Sequence, residues 1–190
     1  MIEKKALEFA TIKHKGQFRK DGSDYITHPI RVADNVKKYV KNNLKLLVVA
    51  AYLHDTLDET ATTYEELCDE FGIEVANIVL ELTTDNKLKN ELGKTKYLQI
   101  KMKDMKDDAL DLKLCDRLDN ICDSINADSN FRRKYINETT NIIQYLLENR
   151  SLRKSHFILI NQILTKIKIF LNEKNEEVEC LLKLVLTKAN

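Results

Sequence analysis

Only four glycines and one proline interrupt the 190 residues of this chain, and it contains no tryptophan. β-Sandwiches, β-barrels and low-complexity tails need frequent glycine and proline residues for their turns. The scarcity of these residues therefore argues against all three. Apolar residues recur at helical spacing along most of the sequence, for example at Ile30, Ala33, Val36 and Val40. The pattern predicts an all-α protein. Because no linker, repeat or low-complexity tract divides residues 1–190, we predict a single-domain helical bundle.

The charge balance excludes several classes of partner. The chain has 31 basic and 30 acidic residues, which gives a net charge of +1. No global field draws such a molecule to DNA or to an anionic membrane, so we predict neither a nucleic-acid nor a membrane partner. The longest apolar run, Leu46–Leu53, is far shorter than the ~20 residues that span a bilayer. The four cysteines form no CxxC pair and the N-terminus lacks the apolar stretch of a signal peptide, so we predict a cytoplasmic protein.

Local patterns place most of the helices. The run Leu44–Leu57 is apolar nearly all round and predicts the central, most buried helix. Thr63 and Glu66 match a capping box, which predicts that another helix starts there. Residues 83–93 are polar and predict a mobile surface loop. Residues 109–115 alternate as a strand does, but the apolar stripe continues beyond them at helical spacing, which favours a helix.

One dipeptide is the first candidate for chemistry. His54 and Asp55 follow the most apolar segment, and ionisable side chains are costly to bury without a partner. A metal ion offsets that cost by neutralising the carboxylate and binding the imidazole, whereas a capping Asp beside a hydrogen-bonded His is the alternative. His28, at a predicted helix start, and Asp116, on a later apolar helix, complete a set of nitrogen and oxygen ligands. Such a set suits Mn, Fe or another divalent ion and indicates a metal-assisted hydrolase.

The two remaining histidines have a different setting. His14 lies between two lysines at the end of the first predicted helix, and His156 lies in a distal amphipathic stretch. We predict that both are structural or exposed. Since a second ion would need more histidine ligands than the chain then offers, we predict one bound ion.

Four segments together resemble a known family. They read ALEFATIKHKGQFRKDGSDYITHPIRVA, AAYLHDTLDET, FGIEVANIVLELT and LKLCDRLDN. In this order they resemble the HD-domain phosphohydrolases of the RelA/SpoT type, including the small alarmone hydrolases and the metazoan SpoT homologues. The resemblance is close over residues 6–126. It implies an HD-domain helical bundle, completed by the C-terminal helices, with a metal site at the edge of its core.

The resemblance also implies an activity and a metal. The family hydrolyses the alarmone (p)ppGpp at its 3′-pyrophosphate and releases pyrophosphate and GDP or GTP, with Mn²⁺ bound. The expected binding partner is therefore a guanosine polyphosphate. His28, His54, Asp55 and Asp116 fall on the four metal ligands of the family.

Five further residues receive roles from the resemblance alone. Asp58 and Glu59 fall on an acidic pair that orders and activates the attacking water. Arg19 and Lys20 fall on a basic pair in the loop after the first helix, near the nucleotide. Asn120 falls on a polar residue that faces the nucleotide, four residues after a metal ligand and so on the same helix face. For each residue the alternative is an ordinary surface or helix-face role.

Three features depart from the family pattern. The acidic pair usually reads Glu then Asp, whereas Asp58 here precedes Glu59. Asp119 stands where the family usually has His, and Asp21 stands where it usually has a small Ser after the basic pair. A misplacement of ~1 Å can cost on the order of 10²-fold in rate, so these changes affect the expected rate and substrate.

The alternatives differ in substrate or in activity. A second enzyme reading keeps the metal and changes the substrate, for example to the 2′-phosphate of NADPH or to a nucleoside monophosphate. The sequence does not separate these substrates, because base recognition depends on pocket shape. A nucleotide-binding regulator weakened in catalysis is a third reading, although the complete ligand set favours an enzyme. A chain of 190 residues leaves no room for a synthetase domain, so we expect a free-standing hydrolase. Its oligomeric state does not follow from the sequence.

Overall fold

Helices make up nearly all regular structure in the computed structural model, which describes residues 1–171 and 175–189. The described helices are α1 Ile2–Lys13, α2 Thr27–Tyr39, α3 Leu44–Leu53, α4 Thr56–Glu59, α5 Tyr64–Phe71, α6 Ile73–Leu82, α7 Asn86–Leu92, α8 Lys94–Asp104, α9 Asp107–Asp123, α10 Ser129–Asn149, α11 Lys154–Leu171 and α12 Glu176–Ala189. No β-strand occurs in these residues, and the all-α prediction is confirmed. None of the described helices is both long and apolar enough to cross a membrane.

The chain divides into two compact units. The first comprises Met1–Asp85 and Lys106–Cys115, and within it α1, α2 and α6 pack on α3. The second comprises Asn86–Met105 and the residues from Asp116 onward, and within it α10 packs on α8, while α11 and α12 pack on each other. The prediction of a single domain over residues 1–190 stays a prediction.

Helix α3 is the centre of the first unit. Every residue from Leu47 to Leu53 is buried, which matches a helix that is apolar on all sides. The predicted helix Leu44–Leu57 is wrong in one respect, because α3 ends at Leu53. At that end the Thr56 hydroxyl donates to the Leu53 carbonyl at 2.7 Å. Hydrogen bonds of this kind compete with the backbone hydrogen bonds of a helix, which is consistent with the end of α3 at this point. Helix α4 then begins at Thr56.

Two local predictions are confirmed and one is corrected. The Thr63 hydroxyl accepts a hydrogen bond from the Glu66 N–H at 3.2 Å and caps α5, and residues 109–115 are helical within α9. The Glu66 carboxylate, however, binds Lys13 Nζ at 2.7 Å and so joins α5 to α1.

The predicted loop over residues 83–93 contains α7, since its Lys, Leu, Asn and Glu residues include several good helix formers and no proline.

Candidate metal centre

Three buried side chains converge in the structure. One ligand atom from each of His28, His54 and Asp116 lies within 4.8 Å of the other two. The three residues are only 1%, 2% and 6% exposed. Two imidazoles and a carboxylate at this spacing fit a divalent cation, which compensates the cost of burying the carboxylate. These are three of the four residues that the sequence predicts as metal ligands.

The protonation of His54 fits a ligand role. Its Nδ1 lies 2.8 Å from the Ala51 carbonyl oxygen, which can only accept, so Nδ1 carries the proton. The lone pair is then on Nε2. Histidine ligands usually donate their second ring N–H in this way, and such a bond fixes both tautomer and ring orientation. The His28 ring lies edge-on to the His54 ring, with 5.1 Å between centroids.

Two helices and the end of a third position the converging residues. His28 lies in the first turn of α2, His54 follows α3 directly, and Asp116 follows Cys115 on α9. The side chain of Asn35 on α2 donates to the Cys115 carbonyl at 3.3 Å. This bond ties α2 to α9 one residue before Asp116.

Asp55, the fourth predicted ligand, adjoins both histidines. Its Oδ2 lies 3.2 Å from His54 Nε2 and 3.5 Å from His28 Nε2. The same oxygen accepts a hydrogen bond of 2.8 Å from the hydroxyl of Tyr25. Burial and the Asp55 charge raise the pKa of Tyr25, so its hydroxyl stays protonated and donates. Sequence reasoning missed Tyr25, although its place three residues before His28 in the DYITHP segment was a usable signal.

The two residues of the acidic pair have different partners. Both carboxylate oxygens of Asp58 accept the backbone N–H of Thr84, at 3.0 and 3.1 Å, which ties α4 to the segment after α6. Burial, together with the charges of Asp55 and Asp58, raises the pKa of Glu59. In this structure the Asp58 carboxylate therefore binds the backbone of Thr84, whereas the Glu59 carboxylate is destabilised by the negative charges of Asp55 and Asp58.

The basic pair lies on a turn held by local bonds. The Arg19 N–H donates to the Ser23 carbonyl at 2.8 Å, and the Gly22 N–H donates to the Arg19 carbonyl at 3.0 Å. Gly22 has a φ of +85°, which favours glycine. The Arg19 guanidinium lies over the Tyr25 ring at 5.7 Å, and Lys20 is exposed.

Asp21 is part of the same turn. Its Oδ1 accepts the N–H of Ser23 at 3.0 Å and the hydroxyl of Ser23 at 2.7 Å. The backbone bond contributes most to lowering the pKa of Asp21. The carboxylate that departs from the family pattern thus stabilises the turn next to Arg19 and Lys20.

Asn120 lies one turn beyond Asp116 on α9, as the spacing predicted. Its Nδ2 donates to Asp116 Oδ1 at 2.5 Å. The adjoining Arg117 is buried, and its guanidinium donates to Thr139 Oγ1 at 2.9 Å and lies 3.3 Å from Glu138 Oε1. These bonds hold the Asp116–Asn120 segment of α9 on α10. Sequence reasoning gave Arg117 no role, and a buried arginine has no local sequence signal.

The sequence is similar to that of several known proteins. The HD domain family matches residues 6–151. A guanosine-3′,5′-bis(diphosphate) 3′-pyrophosphohydrolase of Aquifex aeolicus is 40% identical over 119 residues, which cover 62% of this chain and 17% of that protein. The MESH1 guanosine-3′,5′-bis(diphosphate) 3′-pyrophosphohydrolases of Danio rerio and Homo sapiens are 43% identical over 84 residues and 41% identical over 85. These matches cover 43% and 44% of this chain, and 47% and 48% of the two MESH1 proteins. The chain thus spans less than half of each of these curated relatives.

A solved structure supports the same fold. It is that of a metazoan orthologue of SpoT that hydrolyses ppGpp and plays a role in starvation responses, and it matches with a TM-score of 0.69 at 21% identity. The match covers 87% of this chain and 95% of that one. The resemblance to RelA/SpoT-type hydrolases, and with it the helical bundle, is confirmed. With the family match extending over most of its length, this chain belongs to the HD domain family.

Proposed function

We propose that this chain is a cytoplasmic, Mn²⁺-dependent hydrolase of (p)ppGpp that releases pyrophosphate and GDP or GTP. The observation that carries the proposal is the convergence of His28, His54 and Asp116, in a chain whose relatives are named for this reaction. All three of these residues lie in the sequence segments that resemble the RelA/SpoT-type hydrolases. The proposed substrate is therefore a guanosine polyphosphate, and the proposed cofactor is one divalent ion.

The proposed ligands are His28, His54, Asp55 and Asp116. When bound, a divalent ion polarises a phosphoryl oxygen and lowers the pKa of water. The two histidines supply nitrogen lone pairs, while the two aspartates supply the negative charge that a hard cation prefers. Two neighbouring donors orient the carboxylates, because Tyr25 binds Asp55 and Asn120 binds Asp116. This set of nitrogen and oxygen donors contains no thiolate. It therefore favours Mn²⁺ over an ion such as zinc in a thiolate site.

Glu59 is the proposed general base. Its carboxylate accepts a proton from the water that attacks the phosphorus bound to the ribose 3′-oxygen; the bond between that phosphorus and the 3′-oxygen breaks, the 3′-oxygen takes up a proton, and pyrophosphate is released. Asp58 is held by the Thr84 backbone and keeps the short helix α4 in place beside Asp55. The reversed order of the acidic pair therefore pairs a fixed Asp with an adjacent Glu of longer reach.

Arg19 and Lys20 are the proposed phosphate contacts. Guanidinium and ammonium groups form charge-assisted hydrogen bonds with phosphate oxygens. The turn that carries these residues is closed by bonds between Arg19 and Ser23 and by the Asp21 carboxylate. A turn ordered before binding loses less conformational freedom when the nucleotide binds.

Product identification tests the proposal. The purified protein is incubated with Mn²⁺ and, separately, with ppGpp, pppGpp, NADPH and GMP, and the products are separated by ion-exchange chromatography. We expect pyrophosphate with GDP from ppGpp, and pyrophosphate with GTP from pppGpp. Orthophosphate from NADPH or GMP, without turnover of either alarmone, would contradict the proposal and support another HD phosphohydrolase. Binding of ppGpp without turnover would support a regulator.

A further inference from the structure

Gln17 links three parts of the first unit. Its Nε2 donates to the main-chain carbonyl of Glu59 at 2.6 Å, across 42 positions of sequence. Its Oε1 lies 2.7 Å from Nδ1 of His14, at the end of α1. Its own main-chain carbonyl accepts the N–H of Tyr25 at 3.0 Å. One side chain and its backbone therefore connect α1, the loop before α2, and α4.

The bond to Glu59 decides the orientation of the Gln17 amide and the tautomer of His14. A carbonyl oxygen only accepts, so the NH₂ group of Gln17 faces Glu59 and Oε1 faces His14. His14 Nδ1 must then carry the ring proton. Burial lowers the pKa of His14, which keeps the imidazole neutral. His14, predicted as structural or exposed, is buried and has a defined tautomer.

The His14 ring has a second contact. It stacks on the Tyr25 ring, with 4.6 Å between centroids and 22° between planes. Tyr25 in turn donates to Oδ2 of Asp55. His14 and Gln17 thus contact the backbone of the proposed base and the ring of the residue that orients a proposed metal ligand.

Helix α4 cannot hold this geometry alone. It has four residues, and so short a helix is unstable without contacts from outside it. Its external bonds include those from Gln17 to Glu59 and from Thr84 to Asp58. Loss of the first bond leaves the Glu59 end of α4 without this anchor.

We infer that Gln17 is a positioning residue that holds Glu59 in place, and that His14 orients Gln17 through its Nδ1 proton. The effect on catalysis rests on the proposed function, since it requires Glu59 to act as the base. The effect on the structure of α4 does not. The two effects can therefore be measured separately.

The main variant is Gln17→Met, which keeps the length of the side chain and removes both hydrogen-bonding groups. Its matched control is Gln99→Met, because Gln99 Nε2 donates to the Asn141 carbonyl at 3.1 Å over the same 42-residue separation, in the second unit. For ppGpp we expect kcat of Gln17→Met to fall about tenfold or more, since small misplacements of catalytic groups are costly. We expect KM within about threefold of wild type, unchanged Mn²⁺ content, and a thermal midpoint close to that of the control.

Hydrogen–deuterium exchange supplies the measurement that needs no substrate. In Gln17→Met, peptides covering residues 55–62 should exchange faster than in wild type, and in Gln99→Met they should not. His14→Asn keeps an N–H donor near the Nδ1 position and should exchange as wild type does, whereas His14→Phe keeps only the ring stack and should resemble Gln17→Met. If exchange at residues 55–62 stays at the wild-type rate in His14→Asn but rises in His14→Phe, then the hydrogen bond of His14 orients Gln17 and its ring packing does not.

Each result decides one part of the inference. Unchanged exchange at residues 55–62 in Gln17→Met would overturn it. Faster exchange with an unchanged kcat would overturn the catalytic part, because Glu59 would then not need this anchor. If wild type leaves ppGpp intact but Gln17→Met exchanges faster, the proposed function fails and the structural role of Gln17 stands.

Discussion

Two helices carry proposed catalytic residues in opposite ways. Helix α9 has 17 residues, and Asp116 and Asn120 lie on the same face of it and are hydrogen bonded to each other. Helix α4 has only four residues. Its adjacent residues Asp58 and Glu59 are bound by two different groups that are distant in sequence, the Thr84 N–H and the Gln17 amide. In the long helix the spacing in sequence decides which side chains meet. In the short helix, tertiary contacts decide which groups each side chain binds.

The difference has a physical origin. A helix of several turns repeats every 3.6 residues, so residues four apart are neighbours whatever surrounds the helix. A single turn has too few internal hydrogen bonds to pay for its own order, and its geometry depends on its surroundings. Substitutions on α9 should therefore act locally, and substitutions on α4 should act through its anchors.

The largest expected effect is the loss of the metal site itself. His54→Ala removes an imidazole nitrogen from the buried set, so we expect loss of both Mn²⁺ binding and activity. The thermal midpoint should no longer rise when Mn²⁺ is added, since a ligand stabilises the fold only if the folded state binds it. Metal analysis and thermal scans with and without Mn²⁺ measure this. His156→Ala is the control, because His156 is also buried but belongs to α11; stoichiometric metal in His54→Ala would contradict the site.

The next effect separates the two acidic residues of α4. Glu59→Gln should lower kcat for ppGpp by about 10²-fold, because an amide cannot accept the proton of the water. Asp58→Asn should lower it by less than about tenfold, because the amide oxygen of Asn still accepts the Thr84 N–H. Steady-state kinetics at saturating Mn²⁺ make the comparison. Equal losses in the two variants would show that both carboxylates act on the water.

A smaller effect is expected at Asn120 on α9. Asn120→Ala removes the donor to Asp116, and loss of such an outer partner typically weakens metal affinity by about 10- to 100-fold. Titration of the apoprotein with Mn²⁺ measures the dissociation constant. A normal metal affinity with a raised KM for ppGpp would instead place Asn120 against the nucleotide, as the family resemblance implies.

The smallest effects are expected in the turn before α2, which is ordered by its own local bonds. Arg19→Ala and Lys20→Ala should each raise KM for ppGpp by roughly tenfold, because a charge-assisted hydrogen bond contributes about 1.5–3 kcal/mol. Metal content should not change. Lys41→Ala serves as a control for the loss of one exposed positive charge. If KM is the same in all three variants, the turn does not contact the phosphates.

Several features of this protein follow from its sequence. The few helix breakers predicted the all-α fold, and the apolar run before His54 predicted a site at the edge of the core. The four-residue spacing placed Asn120 beside Asp116. The motif order identified the family, and the residues that converge are among those it named. Periodicity failed where polar residues form an exposed helix, as in α7.

What only the tertiary structure decided is the set of bonds between distant positions. Thr84 binds Asp58 across 26 residues, Tyr25 binds Asp55 across 30, and Gln17 binds the Glu59 carbonyl across 42. Helical periodicity describes neighbours within one turn, and it contains no information on which loops and helix ends later pack together. The sequence by itself therefore determined which side chains are candidates for the proposed site, and the packing of the helices determined what holds each of them in place.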